Sequence, residues 1–108
     1  MAFAVRFTIE ARKDLRELHA YISEADTQAS ANYVVRGIIR APLTLQEMPQ
    51  RGTHPAELAA MGNKSYRQIL FKPYRIFYRV RGKTAFVGLI ADGRRNMTPL
   101  LSRRLLKA

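Results

Sequence analysis

The residues best suited to chemistry in this chain are basic, and they are concentrated in its C-terminal part. From Lys64 to Ala108 the sequence contains twelve Lys or Arg residues and one acid, Asp92. Residues 1–63 contain seven basic and seven acidic residues, so the formal net charge of +11 comes from the last 45 residues. Aromatic and β-branched residues alternate with these basic residues. A cationic surface of this kind predicts a polyanionic or acidic partner.

Arginine is suited to binding phosphates or carboxylates because its guanidinium group donates two parallel hydrogen bonds. Strand alternation places Arg75, Phe77 and Arg79 on one sheet face, and Arg67 joins them across a hairpin if the strand register allows it. Arginines on strands also keep a sheet soluble or block edge pairing. The predicted basic surface comprises Arg67, Lys72, Arg75, Arg79, Arg94, Arg95, Arg103 and Arg104.

The other titratable residues give weaker signals. His19 is predicted to be a surface or boundary residue on the first helix, next to its apolar stripe, and His54 lies in a Pro-flanked loop. Neither has the spacing of a metal ligand. Asp92-Gly93 is typical of a turn. There is no Gly-rich phosphate loop and no Ser-His-Asp set, so we expect no metal and no cofactor.

The sequence of the N-terminal half predicts a strand followed by a helical hairpin that covers one face of the sheet. Residues 3–7 alternate as in a strand, and Thr8 and Thr27 are placed to cap two helices. Asp14 falls on the polar side of the first helix, and Pro42 predicts a kink in the second near residues 40–41. The apolar stripes of the two helices are Ala11, Leu15, Leu18 and Ile22, then Val34, Ile38, Ala41, Leu45 and Met48.

The C-terminal half predicts three strands at residues 65–71, 75–80 and 84–91, joined by short turns. A turn at 57–61 precedes them, and Thr98 and Pro99 predict a helix over 100–106. The fold class is therefore α+β, with the order β-α-α-β-β-β-α in a single domain, residues 1–108. The sheet is antiparallel, the N-terminal strand pairs at its edge, and the hairpin covers one face. The other face is expected to be open, concave and charged.

The sequence favours a cytoplasmic protein. It contains no cysteine, its longest apolar run (residues 85–91) is far too short to span a bilayer, and no signal peptide is visible at the N-terminus.

Several motifs together resemble a known family. In order, these are Thr8 with Ala11 and Asp14-Leu15, Tyr21-Ile22, Pro49-x-Arg51-Gly52, Tyr66-Arg67, Pro73-Tyr74-Arg75-Ile76-x-Tyr78, Asp92-Gly93-Arg94-Arg95, Leu100-Leu101, Arg103/Arg104 and Leu105. The chain resembles a RelE/ParE-superfamily toxin of a type II toxin–antitoxin module, including plasmid stabilisation members. The resemblance implies a cognate antitoxin as partner. It also implies one of two activities, which are ribosome-dependent mRNA cleavage in RelE-like members and inhibition of DNA gyrase in ParE-like members.

The resemblance to RelE-like toxins relates Arg67, Arg75 and Arg95, or Arg94 in place of Arg95, to their cleavage site. Their second basic position falls on Ile69 and their tyrosine position near Leu101, and neither residue can transfer a proton. The sequence therefore favours a ParE-like, non-enzymatic gyrase inhibitor with no assigned catalytic residue. The alternative is a RelE-like mRNA endonuclease acting on the ribosome, in which Tyr66, Tyr74 or Tyr78 would replace the missing group. A nucleic-acid-binding module without toxicity is a third interpretation.

Overall fold

The computed structural model describes residues 2–106, in which one four-stranded sheet has helices on both faces. The elements in chain order are β1 (Ala4–Phe7), α1 (Ile9–Ala25), α2 (Gln28–Arg40), a 3-10 helix (Ala41–Gln46), α3 (Ala56–Ala60), β2 (Arg67–Phe71), β3 (Tyr74–Arg81), β4 (Thr84–Asp92) and α4 (Met97–Leu105). The strand order is β1-β4-β3-β2. The antiparallel β2-β3-β4 meander is confirmed, and β1 lies at the edge, where it pairs in parallel with β4.

The helical hairpin forms as the sequence predicts. The Thr8 hydroxyl accepts a hydrogen bond from the Ala11 amide (3.1 Å), and the Thr27 hydroxyl accepts one from the Ser30 amide (3.0 Å). These bonds satisfy amides that have no partner within the helix. The hairpin and the 3-10 helix cover one face of the sheet over a buried cluster of Ala11, Leu15, Ile38, Leu45, Ile69, Ile76, Tyr78, Ala85, Val87 and Ile90.

Pro42 ends α2 instead of kinking it, so the predicted kink is wrong. The α-helix stops at Arg40, and the 3-10 helix begins at Ala41 with Pro42 in its first turn. This position suits proline because amides of the first turn have no partner in the helix. Met48 lies beyond the end of the 3-10 helix and its side chain is exposed, so its predicted place on the apolar stripe is wrong.

The second face of the sheet is largely covered, contrary to the predicted open face. Helices α3 and α4 pack on it over a buried cluster of Leu58, Tyr66, Phe77, Leu89, Ala91, Met97, Leu100 and Leu101. Helix α4 begins earlier than predicted, with Asn96 and not Thr98 at the N-cap. The physical reason is Met97, which is buried and lies on the same helix side as Leu100 and Leu101.

Within residues 2–106, every helix is too short or too polar to cross a membrane.

Candidate cationic site on the sheet

The register of the sheet separates the basic residues that the sequence placed together. Arg75, Phe77 and Arg79 share one face as predicted, and α3 and α4 cover that face, since Phe77 belongs to the cluster under those helices. Arg67 pairs directly with Tyr78, and directly paired residues lie on the same face. Arg67 therefore lies on the hairpin side, and the register does not allow it to join Arg75 and Arg79. Its guanidinium group donates to the carbonyls of Gln50 (3.2 Å) and Gly52 (2.8 Å).

Arg75 is held by an acid from α3. Its two terminal nitrogens donate to the two carboxylate oxygens of Glu57, each at 2.8 Å, and its Nε donates to Gln68 Oε1 at 2.7 Å. The guanidinium carbon lies 4.9 Å from the centre of the Phe77 ring. The hydrogen bond from Arg75 lowers the pKa of Glu57, with partial burial acting in the opposite direction. Arg75 is thus neutralised and largely buried.

Arg104 is held by Asp14, the residue expected on the polar side of α1. The two nitrogens of Arg104 donate to Asp14 at 2.9 and 3.0 Å, and one also donates to the Gly88 carbonyl at 3.1 Å. Asp14 Oδ2 accepts a further bond from the Ile90 amide at 3.1 Å. The Asp14 side chain is only 13% exposed, so its predicted position is wrong. The pair links α4 to α1 and β4.

Asp92 is the last residue of β4, and its side chain holds the turn that the sequence predicts at Asp92-Gly93. Its carboxylate accepts bonds from the amide of Arg94 (2.9 Å) and from the guanidinium group of Arg94 (2.6 and 2.9 Å). The hydrogen bond from Arg94 lowers the pKa of Asp92. Arg95 follows in the same turn and Lys72 lies between β2 and β3; both are exposed. Neither makes an ion pair within residues 2–106.

The basic cleft is a hollow of about 530 Å³ between the β3–β4 hairpin and the end of α4. Arg79, Arg81 and Arg103 line it, and in the described part of the chain none of them forms an ion pair. The guanidinium carbon of Arg79 lies 5.2 Å from the centre of the Tyr66 ring, which fixes its orientation. The other lining residues are Thr8, Glu10, Phe86, Gly88, Arg104 and Leu105. Arg81 was not among the predicted site residues, although its spacing of two from Arg79 indicates the same face.

A smaller polar hollow of about 160 Å³ adjoins the cleft at Arg79, which lines both. Lys64, Arg67 and His54 bring further nitrogen atoms to it. His54 Nδ1 lies 3.2 Å from the Tyr66 carbonyl. Because a carbonyl only accepts, this contact places the proton on Nδ1 and leaves Nε2 free of it in the neutral ring. His19 contacts Asn32 at 2.7 Å on the hairpin, away from both hollows, as expected for a boundary residue.

Comparison with known proteins gives one family and a common fold. The family model described as the ParE toxin of the type II toxin–antitoxin system, parDE, matches residues 5–97. The chain belongs to this ParE toxin family. No curated protein matches its sequence significantly.

Three solved structures share the fold of this ParE-family chain. A chain of the chromosomal ParDE system from P. aeruginosa has a TM-score of 0.72 at 20% identity and covers 84% of this chain and 96% of its own. A chain of the RelBE2 toxin–antitoxin complex from Mycobacterium tuberculosis has a TM-score of 0.59 at 22% identity and covers 85% of this chain and 92% of its own. A double arginine-to-alanine mutant of E. coli RelE in the free state has a TM-score of 0.61 at 16% identity and covers 93% of this chain and 93% of its own.

In this ParE-family chain, three arginines correspond by resemblance to the cleavage site of RelE-like toxins, and they occupy different environments. Arg67 lies on the hairpin face, Arg75 is bound to Glu57, and Arg95 is exposed in the turn after β4. Three further arginines, Arg79, Arg81 and Arg103, form no ion pair with the described residues and lie together in the basic cleft.

Proposed function

We propose that this toxin arrests growth as a non-enzymatic inhibitor of DNA gyrase and that a cognate antitoxin neutralises it. The observation that carries the proposal is the separation of Arg67 from Arg75. A nuclease needs its cations around one scissile phosphate. Here one arginine points to the hairpin side and the other is already paired with Glu57.

The positions related to proton transfer in RelE-like toxins also carry no group that could exchange a proton with ribose. Ile69 and Leu101, at the positions related to proton transfer in RelE-like toxins, are apolar and buried in the two opposite clusters. Tyr78, one possible substitute, donates to the Pro49 carbonyl at 2.7 Å and accepts from the Gly52 amide at 3.0 Å. Burial raises the pKa of Tyr78 and of Tyr74, which makes both weaker acids near neutrality. Tyr66 is buried beneath Arg79.

The antitoxin proposal rests on complementary charge and exposed apolar area. The similar ParDE and RelBE2 structures come from toxin–antitoxin systems. An acidic, amphipathic antitoxin segment would place carboxylates near Arg81 and Arg103. Its apolar residues would cover exposed side chains of the hairpin, such as Tyr21 and Tyr33.

Supercoiling by purified gyrase tests the activity. We expect the folded toxin to inhibit supercoiling at micromolar concentration and to leave relaxation by a type I topoisomerase unchanged, since gyrase is the proposed target. A second reaction contains ribosomes programmed with mRNA, where the message should stay intact. Unchanged supercoiling together with a cleaved message, with cleavage lost in Arg75→Ala, would replace this proposal with the RelE-like alternative.

A further inference from the structure

The basic cleft and the polar hollow form one cationic surface, because Arg79 lines both. We propose that this surface binds the phosphate backbone of duplex DNA directly. Direct binding of DNA is an activity separate from binding to gyrase, and the occupant is identified by the charge of the surface. The inference therefore goes beyond gyrase inhibition and can be tested without gyrase.

The arginines divide into two groups according to their partners. Arg75, Arg94 and Arg104 are each within 3 Å of a carboxylate, so their charge is compensated inside the chain. The cations of the surface have no such compensation in the part of the chain that the structure describes; they are Lys64, Arg67, Arg79, Arg81 and Arg103. A polyanion that binds here gains attraction without first breaking an ion pair.

The burial of the aromatic rings favours contact with the phosphate backbone over stacking of the bases. Proteins that bind single strands stack bases on exposed aromatic rings. Tyr66 is 7% exposed and lies under Arg79, and Phe77 is 0% exposed and lies under Arg75. Phe86 is the one partly exposed aromatic ring in the lining and Glu10 its one carboxylate, so the surface offers mainly guanidinium and ammonium groups for binding. These bind phosphates regardless of sequence, which suits a duplex whose bases are already stacked.

The surface also lacks the anchors of a folded protein partner. Protein interfaces depend on a few large apolar or aromatic side chains that insert into pockets. Among residues 2–106, the exposed large hydrophobic residues all lie outside the lining of the cleft and of the hollow; they are Ile9, Tyr21, Tyr33, Ile39, Leu43, Met48, Met61 and Leu70. A folded target would therefore dock elsewhere, which leaves this surface accessible to DNA. An acidic antitoxin segment would compete with DNA by charge.

The test measures the fluorescence anisotropy of labelled random-sequence duplex DNA titrated with toxin over a range of KCl concentrations. We expect a slope of log K against log salt of about −3 to −4, from about four phosphate contacts at roughly 0.9 each. The variant Arg81→Glu/Arg103→Glu should bind at least about tenfold more weakly and lose about two units of slope. Both residues are exposed, and circular dichroism checks that the variant is folded.

The matched control is Arg36→Glu/Arg40→Glu on α2, where both arginines are exposed and outside the surface. It changes the net charge equally, so it should keep the wild-type slope and lose only a small part of the affinity. Equal losses in the two double variants would overturn the proposal, because binding would then follow net charge alone. Tighter binding of single-stranded DNA, single-stranded RNA or polyglutamate than of duplex DNA would overturn it as well.

Discussion

Glu57 and Asp14 belong to the charge-balanced N-terminal part of the chain, yet each binds an arginine from the basic C-terminal part. Both arginines are bidentate and at most 20% exposed, so they are fixed in one orientation. Arg79 is oriented in a different way, by the ring of Tyr66. At the scale of single residues, an arginine's partner therefore determines whether it stabilises the fold or remains accessible to a ligand.

The Glu57 carboxylate predicts a loss of stability in mild acid. Its folded pKa is held below the usual 4.5 by the hydrogen bond from Arg75. When the folded pKa is depressed, the stabilisation is complete above the unfolded pKa and is lost as the pH falls through the folded value. Glu57→Gln should therefore be less stable than wild type at neutral pH, and its stability should depend less on pH below about 5. Urea unfolding at several pH values measures both effects.

Asp92→Asn is the comparison for this prediction, because the pKa of Asp92 is also lowered by an arginine. Arg94 is exposed to solvent, so the Asp92 pair is screened and should contribute less. A larger change in acid stability for Asp92→Asn than for Glu57→Gln would contradict the assignment of Arg75–Glu57 as the structural pair.

At the scale of elements, the sequence predicts correctly the features that depend only on neighbouring residues. The caps at Thr8 and Thr27 and the apolar stripe of α1 depend on residues within a few positions of one another, and the structure contains them. The same is true of the alternation along β3, which places Arg75 and Arg79 on one face. Each of these features is determined by residues within one helix or one strand, which is why the sequence alone predicts it.

Features that depend on distant parts of the chain were missed. Asp14 and Arg104 are 90 positions apart, and nothing near Asp14 indicates its partner. Arg67 shares a face with Ile69 of the hairpin-side cluster, but relating that face to Arg75 requires the β2–β3 register, which depends on the connection around Pro73. The shared lining of the two hollows by Arg79 is likewise a property of the assembled sheet. The sequence therefore identified most of the basic residues but not which of them would remain without an acidic partner.

The Asp14–Arg104 pair should account for much of the attachment of α4. Removing Arg104 leaves a mostly buried carboxylate with only the Ile90 amide as partner. We expect Arg104→Ala to lower the free energy of unfolding by about 2–4 kcal/mol. A double-mutant cycle with Asp14→Ala should give a coupling energy of about 1–3 kcal/mol in urea unfolding.

Lys13 and Glu17 provide the control for this cycle. They form an exposed pair on α1 with a separation of 3.9 Å, and such pairs contribute about 0.5 kcal/mol or less. A cycle on Lys13 and Glu17 should accordingly show little coupling. Similar coupling energies in the two cycles would mean that the Asp14 pair does not attach α4 to the rest of the fold.

At the scale of the whole molecule, the net charge of +11 should oppose folding through self-repulsion. Salt screens repulsion between exposed cations, since the Debye length falls from about 30 Å at 0.01 M to about 8 Å at 0.15 M. The Arg75–Glu57 and Arg104–Asp14 pairs are partly buried and are screened less. Salt should therefore remove more repulsion than attraction. We expect the melting temperature to rise by a few degrees between about 0.02 and 0.3 M KCl, measured by circular dichroism.

The variant Arg81→Glu/Arg103→Glu separates repulsion from other effects of salt. It replaces two exposed cations that have no acidic partner among residues 2–106, so it should melt at a higher temperature than wild type in low salt. Its melting temperature should also rise less with KCl. A melting temperature that falls with KCl in both proteins would show that the ion pairs outweigh the repulsion. Repulsion between the cations of the basic cleft would then lower the stability of the fold only slightly, because the water between them would already screen their charges.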